Sequence, residues 1–473
     1  MTRTDFICLM PLIITAITPV IIMLMITIRR NMQAVYLTSL LMLALALISV
    51  FDAVPYAPHQ VSSILRIDKF SLIFMGIIFF TGFLVSVISF EYLKSHAGDR
   101  EEYFIMLFVG ILGTLVLVSA EHFISFFLGL ETLSISLYVL VAWLKTKKEG
   151  IEAGVKFLVI ASLATAFLLF GMGLIYAMTG SMNFRDIRQA AGDQLRSPLF
   201  LTGIGLMMAG IGFKLALVPF HMWTPDIYQG APVPVTMFIA TISKGAIMAL
   251  ALRFFIDIRG SENEVIIVIL TIISVLSMFT GNLLALRQTS LKRLLAYSSI
   301  AHLGYLLITI LTGTADGINA AIFYIVAYTV TSLGAFGVLS ALSDSRKDAD
   351  DINEVKGLFW SSPWLAGFLT VAFLSLAGIP LTAGFISKFY LVLAGVKSDL
   401  WLLAASLVIN SVISLYYYLR VIRTMFSREE EPGVIKLNSM TWIILGIIAL
   451  GILILGTMPS FVTEVIARFS AMN

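Results

Sequence analysis

One stretch of the chain decides its fold. Residues 213–246 read FKLALVPFHMWTPDIYQGAPVPVTMFIATISKGA, in which two apolar runs each carry one lysine, Lys214 and Lys244, on either side of a proline-containing connection. On insertion scales, an ionised side chain near the middle of a bilayer costs about 2.5–3.5 kcal/mol. We therefore expect these two amines to be paired, hydrated or engaged in carrying charge inside a membrane.

Three further titratable residues lie in apolar runs of the same kind. Glu131 lies within HFISFFLGLETLSISLYVL (122–140), His302 within SSIAHLGYLL (298–307) and Lys388 within LAGIPLTAGFISKFYLVL (376–393). A carboxylate near a buried amine favours its charged form, so a Glu–Lys pair whose separation changes would load and release a proton. Histidine titrates near neutrality and suits a position between two lysines. The five residues together predict a proton relay at membrane depth.

The composition is that of an integral membrane protein. Of the 473 residues, 59% are apolar and 12% are charged, whereas soluble domains run at about 45–50% and about 25%. The net charge of +3 is small for this length, so we expect no nucleic-acid role. Cys8 is the single cysteine and the five histidines are scattered, so we expect no metal site. No connection exceeds about twenty residues, too short for a domain that houses a cofactor.

Apolar runs of spanning length predict an all-α membrane protein with about fourteen transmembrane helices. The predicted spans are 6–28, 34–51, 69–90, 103–119, 121–144, 155–178, 199–220, 233–256, 263–286, 294–313, 315–342, 362–395, 400–424 and 439–458. The twelfth run is over-long and contains Pro380, which predicts a broken helix. Pro219 is expected to close the seventh run in a comparable way.

The order of the buried charges suggests a repeat. Helices 4–8 carry Glu131, Lys214 and Lys244, and helices 9–13 carry His302 and Lys388. Two consecutive units of five helices must have opposite topology, as in many transporters. We therefore predict four regions: 1–102 with three helices, 103–258 as the first repeat, 259–425 as the second, inverted repeat, and 426–473 with helix 14 and a tail.

Lysine and arginine in the connections predict the orientation. Segments after odd-numbered helices hold 18 of these residues, and the remaining connections and termini hold 10. Cytoplasmic loops carry the excess in membrane proteins. Both termini are therefore expected on the outer side.

Each singled-out residue also has a structural interpretation. Glu131 and Lys214 would serve equally well as an ion pair that fixes helix packing, and His302 as a satisfied polar contact. The presence of four charges on separate helices favours the relay. Lys292 and Arg293, in LKRLLAYSS, are expected to be interfacial anchors.

The connection after the seventh run leaves a similar choice. His221 and Asp226, in HMWTPDIYQGAPVP, would either guard a channel mouth or shape a turn, and we favour the turn.

Several long motifs resemble the antiporter-like membrane subunits of bacterial NADH–quinone oxidoreductase (respiratory complex I). They are residues 213–246, LKRLLAYSSIAHLGYLL (291–307), AGIPLTAGFISKFYLVLAG (377–395) and SLYYYLRV (414–421), and the resemblance extends from about residue 60 to 425. Subunits L and M of that complex and the Mrp-type cation/proton antiporters share the lysine scheme. Their connection after the seventh helix reads closer to H-x-W-L-P-D-A, so the W-T-P-D-x-Y-x-G form here favours the third antiporter-like subunit.

The resemblance implies two inverted five-helix repeats with broken seventh and twelfth helices. It also implies a proton relay of Glu131, Lys214, Lys244, His302 and Lys388. NADH, FMN, iron–sulfur clusters and quinone would belong to partner subunits. The implied partners are subunit M, small subunits such as K and J, and the lateral helix of subunit L, all in the bacterial inner membrane.

Two alternatives to this redox-linked proton-pumping subunit remain at this stage. The first is a cation/proton antiporter subunit without redox coupling, and the connection after Pro219 argues against it. The second is a membrane scaffold whose buried charges serve assembly. A stand-alone substrate permease is disfavoured because the helices are almost uniformly apolar.

Overall fold

The computed structural model describes residues 2–95, 100–144, 147–191, 197–343, 348–427 and 439–469. These ranges are almost entirely helical. Their one β-sheet is a small antiparallel hairpin of β1 (His59–Val61) and β2 (Leu65–Ile67). The predicted all-α class is confirmed, with this hairpin as a minor addition.

The helices follow one another with short connections. In chain order they are α1 (Arg3–Ile28), α2 (Met32–Ala53), α3 (Lys69–Lys94), α4 (Glu102–Val118), α5 (Phe123–Val141), α6 (Lys148–Thr179), α7 (Phe184–Ala191), α8 (Pro198–Leu215), α9 (Trp223–Gly230), α10 (Val233–Phe238), α11 (Lys244–Asp257), α12 (Glu264–Ala285), α13 (Leu291–Thr312), α14 (Ala315–Leu342), α15 (Leu358–Ser361), α16 (Pro363–Ala377), α17 (Ala383–Lys397), α18 (Trp401–Phe426), α19 (Ser439–Thr457) and α20 (Ser460–Phe469). A π-helical turn, Ile239–Ser243, joins α10 to α11.

The described ranges contain twelve helices that are long and apolar enough to cross a membrane, with α10, the π-turn and α11 counted as one. α4 and α16 are apolar but shorter, with 17 and 15 residues. A multi-span membrane protein is therefore confirmed. The number of fourteen spans, the inverted repeats and the four region boundaries stay predictions.

The seventh predicted span is broken between α8 and α9. α8 ends at Leu215, and Ala216 takes a left-handed backbone conformation with φ 61°. The helix therefore stops before Pro219, and not at the proline as expected from the sequence. The break itself is confirmed.

The chain then re-forms a helix where the sequence analysis favoured a turn. Asp226 lies in the first turn of α9, where an acidic side chain interacts favourably with the helix dipole. Trp223, Ile227 and Tyr228 are buried on the same short helix. The helix begins only at Trp223, so His221 lies in a turn as favoured, whereas Asp226 lies in a helix that packing of these apolar side chains stabilises.

The twelfth predicted span is also broken, as expected. α16 ends at Ala377, and Gly378 follows with φ 87°, a conformation that glycine adopts without steric cost. Pro380 lies in the connection, and α17 begins at Ala383. The break leaves helix ends inside the core instead of at the membrane surface.

Burial singles out the helices that carry the candidate residues. The spanning window of α13 is completely buried, and that of α10 to α11 is 94% buried. Helices α1, α2, α12 and α19 instead leave much of their apolar surface exposed, as expected of helices that face lipid. The fold thus places Lys244 and His302 in the centre of the helix bundle.

Close approach of α12 to α13 depends on a glycine. A Cβ atom at Gly281 would lie 2.7 Å from both the Tyr297 carbonyl oxygen and the Ala301 amide nitrogen on α13. Small residues allow such backbone contact between membrane helices. Gly281 therefore fixes the position of the helix that carries His302.

We predict that Gly281→Ala lowers the thermal unfolding temperature of the purified protein, because α12 and α13 must move apart at a cost of about 1–3 kcal/mol. Gly367→Ala on α16 is the matched control, since a Cβ there would meet nothing within 4 Å. Its unfolding temperature should stay the same or rise slightly, because alanine forms helices better than glycine. Equal effects of the two substitutions would contradict the close-packing role.

Candidate proton pathway in the helical core

Lys214 lies in the last turn of α8, directly before the helix break, and is buried. Its Nζ donates a hydrogen bond of 2.6 Å to the Oγ of Ser134 on α5. A cation in a last turn also interacts favourably with the negative end of the helix dipole. The break therefore stabilises the ammonium of Lys214 without a direct carboxylate contact.

Glu131 lies one turn before Ser134 on α5, so the two side chains share a face of that helix. Its Oε1 accepts a hydrogen bond of 2.7 Å from Thr165 Oγ1 on α6. Glu131 acts on Lys214 electrostatically, but within the described ranges no ion pair of 4.0 Å or less joins them. Lys214 is bonded by Ser134 and Glu131 by Thr165, so a direct packing ion pair does not describe this site.

A small cavity lies beside Lys214. Its volume is about 10 Å³, and its lining includes Ser134, Lys214, Trp223 and Ser243. That volume is roughly what one water molecule requires. Ser243, which also lines the cavity, is the residue directly before Lys244.

Lys244 begins α11 immediately after the π-helical turn Ile239–Ser243. π-turns occur frequently at functional sites. The Nζ of Lys244 donates a hydrogen bond to Ser299 Oγ on α13, and it lies 5.2 Å from the centroid of the Tyr228 ring. Within the described ranges no acidic side chain pairs with this buried lysine.

His302 lies on α13 one turn after Ser299 and is buried. Its Nδ1 forms a hydrogen bond of 2.6 Å with the hydroxyl of Tyr324. The rings of Tyr305 and Tyr328 lie 5.5 Å and 5.2 Å from the imidazole, measured between centroids. His302 is therefore enclosed by phenol rings and also interacts electrostatically with Lys388.

Lys388 lies on α17, but its charged end reaches back across the break to α16. Nζ donates hydrogen bonds of 2.9 Å and 3.0 Å to the carbonyl oxygens of Leu376 and Ala377, the last two residues of α16. Such carbonyls lack partners within their own helix. The broken helix thus supplies the acceptors that the ammonium needs.

The five predicted residues lie on α5, α8, α11, α13 and α17. Glu131 acts on Lys214 electrostatically, Lys214 bonds Ser134 on the same helix as Glu131, and Ser243, the residue before Lys244, lines the small cavity beside Lys214. Lys244 reaches α13 at Ser299, one turn from His302. Lys388 follows, facing the Tyr305 ring one turn further along α13 at 5.5 Å from its centroid.

The predicted mouth residues lie around the two breaks. Pro219 and the buried His221 lie between α8 and α9, and Pro380 lies between α16 and α17. Asp226 is 44% exposed and pairs with Arg293, 2.7 Å between Oδ1 and Nη1. The described ranges contain no group of three or more His, Cys, Asp or Glu side chains that could hold a metal ion.

Lys292 is not the interfacial anchor that the sequence suggested. It is 1% exposed, and its Nζ lies 2.5 Å from Asp348 Oδ2 and 2.8 Å from the Ala231 carbonyl oxygen. Tyr92 on α3 donates to the same carboxylate at 2.6 Å. The interpretation was wrong because Lys292 is buried in an ion pair. Its partner Asp348 lies 56 residues away, in the connection after α14, so the pair could not be recognised from the local sequence.

A second buried pair, unnoticed in the sequence, lies at the other end of the bundle. Arg253 donates two hydrogen bonds of 2.8 Å to the carboxylate of Asp68, and both side chains are 1% exposed. Burial alone would raise the pKa of Asp68, but the guanidinium of Arg253 holds that pKa below its usual value. This pair anchors the start of α3 to the end of α11.

Sequence reasoning missed the neutral side chains of the pathway: Ser134, Thr165, Tyr228, Ser299, Tyr305 and Tyr324. Helical spacing was the available signal. Ser134 lies three residues after Glu131, and Ser299 and Tyr305 lie three residues before and after His302. Residues three apart lie on the same helix face.

Known proteins that resemble this chain are membrane subunits of the same kind. The family described as NADH:quinone oxidoreductase/Mrp antiporter, TM, matches residues 120–414. NADH-quinone oxidoreductase subunit N of Methylococcus capsulatus is 43% identical over 467 residues, which cover 97% of this chain and 94% of that protein.

Solved structures give the same result. A chain of respiratory complex I from Thermus thermophilus, with bound aureothin, superposes with a TM-score of 0.84 at 32% identity, covering 96% of this chain and 98% of that one. A chain of the Mrp complex from Dietzia superposes with a TM-score of 0.88 at 18% identity over 100% and 97% of the two chains. The second likeness concerns the fold alone.

The fold and the family match define the class: this chain is an antiporter-like, proton-translocating membrane subunit of an oxidoreductase complex. Within that class, the chain belongs to the NADH-quinone oxidoreductase subunit N family. The resemblance stated from the sequence motifs, including the choice of the third antiporter-like subunit, is confirmed.

We predict that Asp348→Asn lowers the unfolding temperature at neutral pH, because breaking a buried ion pair on one side costs about 3–5 kcal/mol. Burial alone would raise the pKa of Asp348, but Lys292 beside it holds that pKa below its usual value. A lowered carboxyl pKa contributes stability above the ordinary value of about 3.9, and this contribution is lost as the pH falls below it.

Unfolding temperatures between pH 7 and pH 3 check this expectation. The difference between the wild-type protein and Asp348→Asn should shrink at the acidic end. Asp399→Asn, at an exposed aspartate, is the matched control and should change little at any pH. A constant difference across the range would contradict the ion-pair account.

Proposed function

We propose that this chain translocates protons through the relay Glu131, Lys214, Lys244, His302 and Lys388, driven by NADH-to-quinone electron transfer in partner subunits. One observation supports the proposal: five titratable side chains lie at intervals along the helical core from α5 to α17, and the three lysines make polar contacts without a close ion pair among the described residues. A structural interpretation requires each charge only to be satisfied locally. It does not require the charges to be aligned in series.

The residue types suit proton transfer. Burial disfavours the charged form of an amine, so a buried lysine gives up its proton when a neighbouring charge changes. An ammonium has no lone pair with which to bind Na⁺ or K⁺, which favours protons as the cargo. Lys214, influenced by Glu131, would accept a proton, Lys244 and His302 would pass it along the bundle, and Lys388 would deliver it to the opposite half-channel.

The surface around Glu131 supports a neighbouring membrane subunit. Along α5, Leu128 and Ile135 are 51% and 57% exposed, and Glu131 lies between them with an intermediate exposure. A carboxylate facing lipid at mid-depth would be costly. We infer that another membrane subunit covers this face and changes the charge beside Glu131. Subunits M, K and J and the lateral helix of subunit L are the proposed partners.

The remaining parts of the proposal concern location. NADH, FMN, iron–sulfur clusters and quinone would all bind to partner subunits. The chain would lie in the bacterial inner membrane with both termini outside, according to the excess of basic residues in the odd-numbered connections.

The central test is Lys244→Ala in the assembled complex. Loss of the amine removes the proposed proton carrier between Lys214 and His302, so proton pumping and quinone-dependent turnover should fall more than tenfold. Lys397→Ala is the control, since that lysine is 56% exposed in a surface pair with Asp316, and such pairs contribute little. Pumping at the wild-type level in Lys244→Ala would refute the relay.

The same experiment separates the relay from a scaffold role. A scaffold predicts that Lys244→Ala lowers the amount of assembled complex, with normal pumping by each complex that forms.

We further predict that Ser134→Ala reduces proton pumping severalfold, because Lys214 loses the acceptor that connects it to the Glu131 face of α5. Ser162→Ala on α6 is the control, since this exposed serine bonds only the Leu158 carbonyl of its own helix among the described residues. Proton-pumping rates in reconstituted vesicles give the measurement. Unchanged pumping in Ser134→Ala would show that Ser134 is dispensable.

A further inference from the structure

The charged end of Lys388 has an unusual set of neighbours. Two carbonyl oxygens of α16 accept its hydrogen bonds, and the ring of Tyr305 lies 5.5 Å from its nitrogen. Within the described ranges no carboxylate lies within 4.0 Å of it. A positive charge in this buried position is therefore stabilised by carbonyl dipoles and by the negative face of an aromatic ring.

Tyr305 is itself held in place by a buried amide. The side-chain nitrogen of Asn282 on α12 donates a hydrogen bond of 2.9 Å to the Tyr305 hydroxyl and one of 3.0 Å to Asn410 Oδ1 on α18. The Tyr417 hydroxyl on α18 donates a hydrogen bond of 3.0 Å to the side-chain oxygen Oδ1 of Asn282. All four side chains are at most 1% exposed. Three helices thus fix the ring that faces Lys388.

We propose that Tyr305 is a positioning residue of the relay, and that its aromatic face stabilises Lys388 in the proton-loaded state while Asn282 fixes the ring. The proposal rests on the relay proposed above. Tyr305 neither donates nor accepts the transported proton. It acts through Lys388.

The other lysines support this assignment. Lys214 interacts with Glu131 and has no ring contact of this type, whereas Lys244 lacks a carboxylate partner and lies 5.2 Å from the Tyr228 ring centroid. In the described structure, aromatic rings therefore face the two relay lysines that lack acidic neighbours. A ring stabilises an ammonium less strongly than a carboxylate does, so the proton is held and still released.

The helices packed against α17 carry several titratable groups among their buried residues. They include His302 and Tyr305 on α13, Tyr324 and Tyr328 on α14, and Tyr417 and Tyr418 on α18. α16 and α19 contribute no titratable side chain within their described spans. Tyr305 is the group whose ring receives the ammonium, so its removal affects the loaded state most directly.

The test compares Tyr305→Leu with Tyr305→Phe in the whole complex, with proton pumping measured against pH. Phenylalanine keeps the aromatic face, so its profile should match that of the wild-type protein. Leucine removes the face, which shifts the balance between loaded and neutral amine roughly tenfold. The alkaline limb of its profile should therefore move to lower pH by about one unit, since the lysine loses its proton more readily.

A second series of variants tests the proposal even if the complex with Tyr305→Leu does not assemble. Phenylalanines with one, two and three ring fluorines at position 305 keep the shape and progressively weaken the negative face. The alkaline limb should move to lower pH in steps with each fluorine. No movement along this series would overturn the proposal.

Two controls separate this inference from the relay itself. Tyr416→Leu, at a 64% exposed tyrosine on α18, should leave the profile unchanged. Lys388→Ala should abolish pumping, and wild-type pumping in that variant would refute the relay. If Lys388→Ala abolishes pumping while Tyr305→Leu only reduces the amount of complex, the relay stands and Tyr305 is structural.

Discussion

The cost of an ammonium in a medium of low dielectric constant governs the core of this protein. The three lysines proposed for the relay are each satisfied in a different way. Lys214 has a serine hydroxyl and a nearby carboxylate, Lys244 has a serine hydroxyl and an aromatic face, and Lys388 has two helix-terminal carbonyls and an aromatic face. None of the three is locked into a close ion pair within the described ranges. Their charges are therefore stable enough to exist and weakly enough held to change.

Helix breaks make these arrangements possible. A continuous helix satisfies its own carbonyls and has nothing to offer a cation in its middle. The ends of α8 and α16 lie inside the bundle, where Lys214 occupies one terminus and Lys388 reaches the other. The two lysines use their breaks from opposite sides, since one precedes its break and the other follows it. Interrupted helices in transporters place ion sites at mid-membrane by the same principle.

The sequence revealed the charged residues of the site but not their neutral partners. Glu131, Lys214, Lys244 and Lys388 are conspicuous because a charge in an apolar run is costly. Ser134, Ser299 and Tyr305 are compatible with any membrane helix, so only the folded structure assigns them a role. The ion pairs of Lys292 and Arg253 were not predicted from the sequence either, because their partners lie 56 and 185 residues away along the chain. Apolar length predicted a multi-span helical protein, and Pro380 predicted the break between α16 and α17. Packing of apolar side chains accounts for α9.

The π-turn at Ile239–Ser243 has a consequence for the orientation of Lys244. A π-turn accommodates one residue more than the corresponding α-turn. If the same residues were wound as a regular α-helix, Lys244 would be rotated by about 100° relative to α10. The amine would then point away from Ser299, although every apolar side chain of the span remained apolar. The hydrophobicity of the span would be the same in both cases, so the π-turn, and not the apolar pattern, sets the direction in which Lys244 faces.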